Sequence, residues 1–216
     1  MTTGARPAAS ISPLEKGVRQ LVRISGAIAG ASEQRVRAIM ADAKDDIDPI
    51  AVEEIILQSY LFAGFPRALN AARAWRAVSG LEAPPADAES EAADLPTWRR
   101  RGEKTCAVIY GDSYEKLREN IRELHPALDE WMIVDGYGKV LSRPGVDLKT
   151  RELCVVAACA VAGQQRQLHS HLHGALNAGA DRYELGAVLE AIRELVDDDD
   201  LGRYYQLLAK VADSEG

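Results

Sequence analysis

Apolar residues recur at three- and four-residue intervals along most of the chain, the period of one buried face of a helix. The first such segment runs from Leu14 to Ala29, with Ser12 placed as its N-cap and Pro13 at the first helical position. A second is predicted from Ser32 to Ala43. Asp48-Pro49 opens a third through IAVEEIILQSYLFAG, where Asp caps the free N–H groups and proline fits the first turn. Gly64 closes it, and Pro66 opens RALNAARAWRAV, which ends near Gly80.

The period then stops. LEAPPADAESEAADLPT, 81–97, is rich in proline, alanine and acids and reads as a linker. Beyond it Ser113 to Leu124 reads as a helix, with Glu115/Arg118 and Glu119/Arg122 at i,i+3. Pro126 to Val134 continues the helical pattern. CAVIY (106–110) and WMIVD (131–135) are the only strand-like runs, and both read as helical turns or loop edges beside helices. DGYGKVLSRPGVD (135–147), with three glycines and a proline, reads as an ordered loop. Asp147 then caps a helix through RELCVVAACAVAG, and Asp181 caps YELGAVLEAIREL. The run Asp197–Asp200 precedes the last helix, where acids favour the positive N-terminal end.

The order of these elements repeats. VRQLVRISGAIAG at Val18 parallels TRELCVVAACAVAG at Thr150, and the helices after them correspond with an offset of 132 to 133. The fold class expected is all-α: two tandem helical repeats packed as one unit. The expected divisions are a flexible arm (1–13), a first repeat (14–80), the linker (81–97) and a second repeat (98–216).

Chemistry sits in the second repeat. If the helices on either side of Gly163 form an antiparallel hairpin, Glu152 and His171 lie ~16 and ~12 Å from the turn at 1.5 Å per residue. They are then within one helical turn of each other. Leu168, Leu172, Ala175 and Leu176 make a buried stripe that His171 shares, and Gln164 and Gln167 precede it on the same side. Glu152, Gln164, Gln167 and His171 are therefore expected around one small, mostly apolar pocket. Such a pair either relays a proton or is a buried pair that satisfies its own hydrogen bonds. His169 and His173 form HxxxH on a flank. Zinc needs three or four ligands, and a polar flank or subunit contact fits the pair better.

Composition narrows the partners. A net charge of −7 lacks the basic face that nucleic acid requires. No apolar run approaches ~20 residues, the length of a membrane span. The start of the chain has no apolar signal segment. Cys106, Cys154 and Cys159 are odd in number and not in CxxC spacing, as suits buried, reduced thiols in a cytoplasmic protein.

GYGKVLSRPGVDLKTREL and HSHLHGALNAGA resemble the carboxymuconolactone decarboxylase family, which shares its fold with alkylhydroperoxidase D. EEIILQSYLFAGFPRALNAA is similar to the end of that same domain, so the order is unusual: AGFP (63–66) precedes the Glu/His hairpin rather than following it. The redox branch carries E-x11-C-x2-C-x3-H; here Glu152-x11-Gln164-x2-Gln167-x3-His171 keeps the Glu and the His but has amides for both thiols. An amide forms neither thiolate nor disulfide, so the resemblance implies acid–base chemistry rather than thiol peroxidase chemistry. It implies a lyase-type reaction on a small carboxylated or lactone metabolite. His171 would exchange the proton, Glu152 orient it, and Gln164, Gln167 and Arg143 hold the substrate. Arg143 serves equally well as a salt bridge pinning its loop. Neither metal nor cofactor is implied, and the family's habit is a homo-oligomer. The alternatives are a peroxide reductase, as in the alkylhydroperoxidase D branch, and a helical scaffold or small-molecule binder.

Overall fold

A computed structural model describes residues 14–86 and 92–213. Every regular element among them is helical. α1 (Lys16–Gly30), α2 (Glu33–Ala43) and α3 (Pro49–Ser79) form the first half. Ser32 and Asp48 accept backbone N–H bonds at the starts of α2 and α3. The Ser12 cap, Pro13 and the arm 1–13 lie outside the described residues, and α1 begins after Glu15 without a side-chain cap. Gly64 breaks α3 without ending its run, at φ 79° and ψ 162°. That conformation is essentially reserved for glycine, and Pro66 restarts the helix.

The linker is shorter than its composition predicts. Residues 81–86 are exposed, 87–91 lie outside the described residues, and Asp94 already caps α4 (Leu95–Tyr110). α4 contains CAVIY as continuous helix. It leads through a short 3₁₀ turn into α5 (Tyr114–Leu124) and α6 (Pro126–Trp131). Among the described residues Arg118 and Arg122 form no ion pair with Glu115 or Glu119; along their own helix Arg118 donates to the Tyr114 hydroxyl and Arg122 to the Arg118 carbonyl. Both reach Asp129 on α6, and Arg118 grips it with two donors.

The largest departure follows α6. Met132–Leu141 is a π-helical segment, not a loop, and only residues 142–147 are irregular. Each interior glycine costs a helix ~1 kcal/mol, so Gly136 and Gly138 need compensation. It comes from burial of Ile133, Tyr137, Val140 and Leu141 against α4. Gly102 of α4 and Gly138 also let the two backbones approach so closely that a Cβ at either would collide with a carbonyl oxygen, of Ile133 or Trp98.

α7 (Leu148–Val161), α8 (Gln165–Asn177), α9 (Arg182–Ala191) and α10 (Asp198–Asp213) complete the chain. Asp147 caps α7 through Thr150, Asp181 and Glu184 form a reciprocal capping box on α9, and Asp197 accepts from Asp200 N–H at the head of α10. α1 packs against α3 and α7, and one hydrophobic cluster draws residues from both halves. The helix order of 16–79 recurs in 148–213, and on that ground we propose tandem repeats sharing one core.

The two halves are also joined by charge. Arg151, 0 % exposed, donates to Glu54 (2.8 Å), to Gln58 and to three backbone carbonyls of 143–146. Arg143 donates to the same Glu54 carboxylate, and Gln58 donates to the Arg151 carbonyl. Glu54 and Gln58 are thus i,i+4 residues of α3 that clamp the first turn of α7 and the loop before it.

Candidate functional site

The predicted hairpin forms. Gly163, at φ 68°, turns α7 back into α8 and brings Glu152 Oε2 to 2.8 Å from His171 Nδ1. Glu152 is 0 % exposed and His171 5 %. Room for the carboxylate is made on the facing helix. A Cβ at Gly174 would stand 2.8 Å from Glu152 Oε2 and 2.7 Å from Ile109 Cγ2. That glycine sits one turn beyond His171 in HSHLHGAL, and only the pairing of α7 with α8 reveals why it is small.

A carboxylate only accepts hydrogen bonds, so His171 Nδ1 is the donor and Nε2 is the ring nitrogen left for other partners. His171 lines a groove of about 970 Å³, and Phe62 meets its ring edge-on at 5.5 Å. Glu152 lies behind the histidine, away from solvent. Its Oε1 is buried with no hydrogen-bond partner among the described residues. Leaving a buried acceptor unpaired costs ~1–3 kcal/mol, a cost that stability alone does not account for.

The groove is larger than the small pocket expected from the hairpin, because other elements build its walls. The AGFP end of α3 supplies Tyr60, Leu61, Phe62 and Phe65; Tyr60 stacks on Phe65 at 4.9 Å. Tyr110 comes from α4, Leu117 and Ile121 from α5, and Leu128 and Trp131 from α6. The π segment adds Tyr137 and its neighbours. Tyr110 and Tyr137 meet edge-on at 6.3 Å. Burial pushes the Tyr110 hydroxyl up to about 12, and burial together with Tyr110 raises Tyr137 further, so both remain protonated donors at neutral pH.

Of the other predicted residues, Gln167 lines the groove beside His171. Gln164 is exposed and outside the groove lining, because it sits at the N-cap of α8 where the chain is still turning. Arg143 is turned away to Glu54 in the interhelical clamp and is not among the groove residues. His169 and His173 stack edge-on at 4.9 Å on the outer flank. Burial, then His173, lowers the His169 pKa.

The thiols stand apart from redox chemistry. Cys106, Cys154 and Cys159 are free and buried. Burial raises the Cys106 and Cys159 thiols to about 12, with the nearby Glu152 carboxylate adding to both, and burial raises Cys154 as well. A thiol with pKa near 12 is less than about one part in 10⁴ thiolate at pH 7. Native protein should therefore take up no iodoacetamide over an hour, and three labels per chain after unfolding. Labelling of a native thiol at the rate of free cysteine would show a reactive cysteine after all.

The all-α fold agrees with the sequence comparisons. Residues 130–199 match the carboxymuconolactone decarboxylase family. That span holds the whole π segment, the hairpin α7–α8, both members of the dyad and α9. A curated protein of Schizosaccharomyces pombe, "Peroxisomal protein 2", is 28 % identical over 156 residues, covering 70 % of this chain and 72 % of its own. The described residues are all-α, and the matched third of the chain is carboxymuconolactone decarboxylase-like. Among the described residues no helix is long and apolar enough to cross a membrane.

Proposed function

We propose that the protein is an acid–base enzyme of the decarboxylase type, acting by decarboxylation or isomerisation on a carboxylated or lactone substrate. One observation carries the reading: a buried Glu–His pair whose histidine, and not its carboxylate, faces a large groove. His171 Nε2 takes a proton from the substrate carbon or returns one to it. Glu152 holds the ring in the tautomer that leaves Nε2 free, and it stabilises the imidazolium once the proton has moved. Gln167 offers an amide N–H to a substrate oxygen. The apolar walls exclude water and so strengthen these polar contacts.

The reaction needs no thiol. Two further proposals go with the family habit and the composition: a cytoplasmic location and a homo-oligomer. The direct test is a panel of lactones and β-keto acids turned over by wild type and by His171→Ala. Turnover by wild type that disappears in the variant is expected. Turnover undiminished by the substitution would rule out the role given to His171.

A further inference from the structure

The groove has a neighbour. On the other side of α8 lies a second cavity of about 490 Å³, lined by Arg166, His169, Arg203 and Lys210 together with glutamine, serine and tyrosine, and by no acid. Arg166 and Ser170 line both cavities. This is a basic depression on a chain of net charge −7. Arg203 is shared with Asp200. Arg166 and Lys210 have no ion pair among the described residues.

The groove itself is apolar along its length. Two of its charged residues, Asp135 and Lys139, neutralise each other. Arg166 is the remaining cation, at the His171 end. The groove lining also leaves large apolar groups in water: Phe65 is 65 % exposed and Trp131 59 %. Exposed aromatic surface beside a pocket marks a binding site rather than chance exposure.

We infer that groove and depression form one site for an anionic amphiphile, its acyl or aryl chain lying in the groove and its phosphate-bearing head on Arg166 and Lys210. A carbonyl between chain and head then passes His171. The charge complementarity decides against a purely apolar ligand, and the length of the apolar trough decides against a small polar one. The inference rests on the groove being the ligand site of the proposed enzyme, and it names the substrate class.

Trp131 supplies the readout, since Trp75 and Trp98 are buried. The full chain is titrated, below micellar concentrations, with octyl, decyl and dodecyl phosphate and with dodecanol. The affinity read from Trp131 fluorescence should tighten by about 15-fold per two fully buried methylenes. Dodecyl phosphate should bind at least tenfold better than dodecanol. That advantage should vanish in R166Q/K210Q and shrink with salt.

The twelve-carbon lysophosphatidate and the twelve-carbon thioester of coenzyme A separate a lipid headgroup from a soluble phosphate carrier; the tighter binder names the source. H171Q should bind dodecyl phosphate within about twofold of wild type, so a failed enzyme reading leaves this one measurable. No dependence on chain length, or equal phosphate binding by R166Q/K210Q, overturns the inference. So does a groove covered by a second copy: no alkyl ligand binds, and Trp131→Asp converts an oligomer to monomer.

Discussion

Glu152→Gln is expected to lower kcat by about 10²-fold and His171→Gln by about 10²–10⁴-fold, the range supplied by a positioned acid–base group. The two substitutions fail for different reasons. His171→Gln removes the group that moves the proton. Glu152→Gln leaves the proton carrier in place but removes the acceptor that fixes its tautomer at 2.8 Å. Nitrogen NMR of the ring separates the two: wild type should show one tautomer, with the proton on Nδ1, and Glu152→Gln a mixture. A single unchanged tautomer in Glu152→Gln would remove the positioning role.

A purely structural pair makes a different forecast. The carboxylate has one oxygen without a partner, and it is fully enclosed. Replacing both partners of a buried hydrogen bond by apolar groups of like shape can be nearly neutral or stabilising. E152M/H171L should therefore fold at least as stably as wild type while losing turnover entirely. A loss of several kcal/mol in urea melts would return the pair to the scaffold reading.

The second large effect is on stability. Glu54→Ala should cost about 3–5 kcal/mol, the usual result of stripping one partner from a buried ion pair. Arg151 is the residue left stranded: it is 0 % exposed, and Glu54 is its only carboxylate among the described residues. Burial already lowers the Arg151 pKa, and Glu54 opposes that shift. Losing Glu54 also removes a bond that holds Arg143 and the loop that leads into α7. Thermal melts should fall by roughly 10 °C, at ~2–4 °C per kcal/mol for a chain of this size. Glu54→Gln should cost less, because the amide still accepts one bond. A melt within 2 °C of wild type for Glu54→Ala would show that water reaches Arg151.

Residues of the two halves therefore differ in how far they could be read. Glu54 and Gln58 lie on α3 at helical spacing and look, in sequence, like the solvated side of an amphipathic helix. Their partner is 93 to 97 residues away. Arg143 presented two roles of equal weight, and the loop geometry gave it the ion pair. Gln164 and Gln167 shared one expectation, yet the turn at Gly163 left only Gln167 on the groove.

What the chain itself determined is what local physics controls. Caps at Ser32, Asp48, Asp147 and Asp181, the glycine turn at 163 and the 3.6-residue period set the helices and put Glu152 level with His171. Each of these depends on residues within a turn or two of one another, or on one short hairpin. The tertiary structure decided the rest. α4 and the π segment became helices although β-branched residues and glycines recur in them, because Gly102 and Gly138 let their backbones meet and bury Ile133 and Tyr137. The AGFP helix of the first half became a wall of the second half's site, and so turned a small predicted pocket into a long apolar groove. Those outcomes depend on packing between segments tens to a hundred residues apart, and that free energy is not carried by any one stretch of the chain.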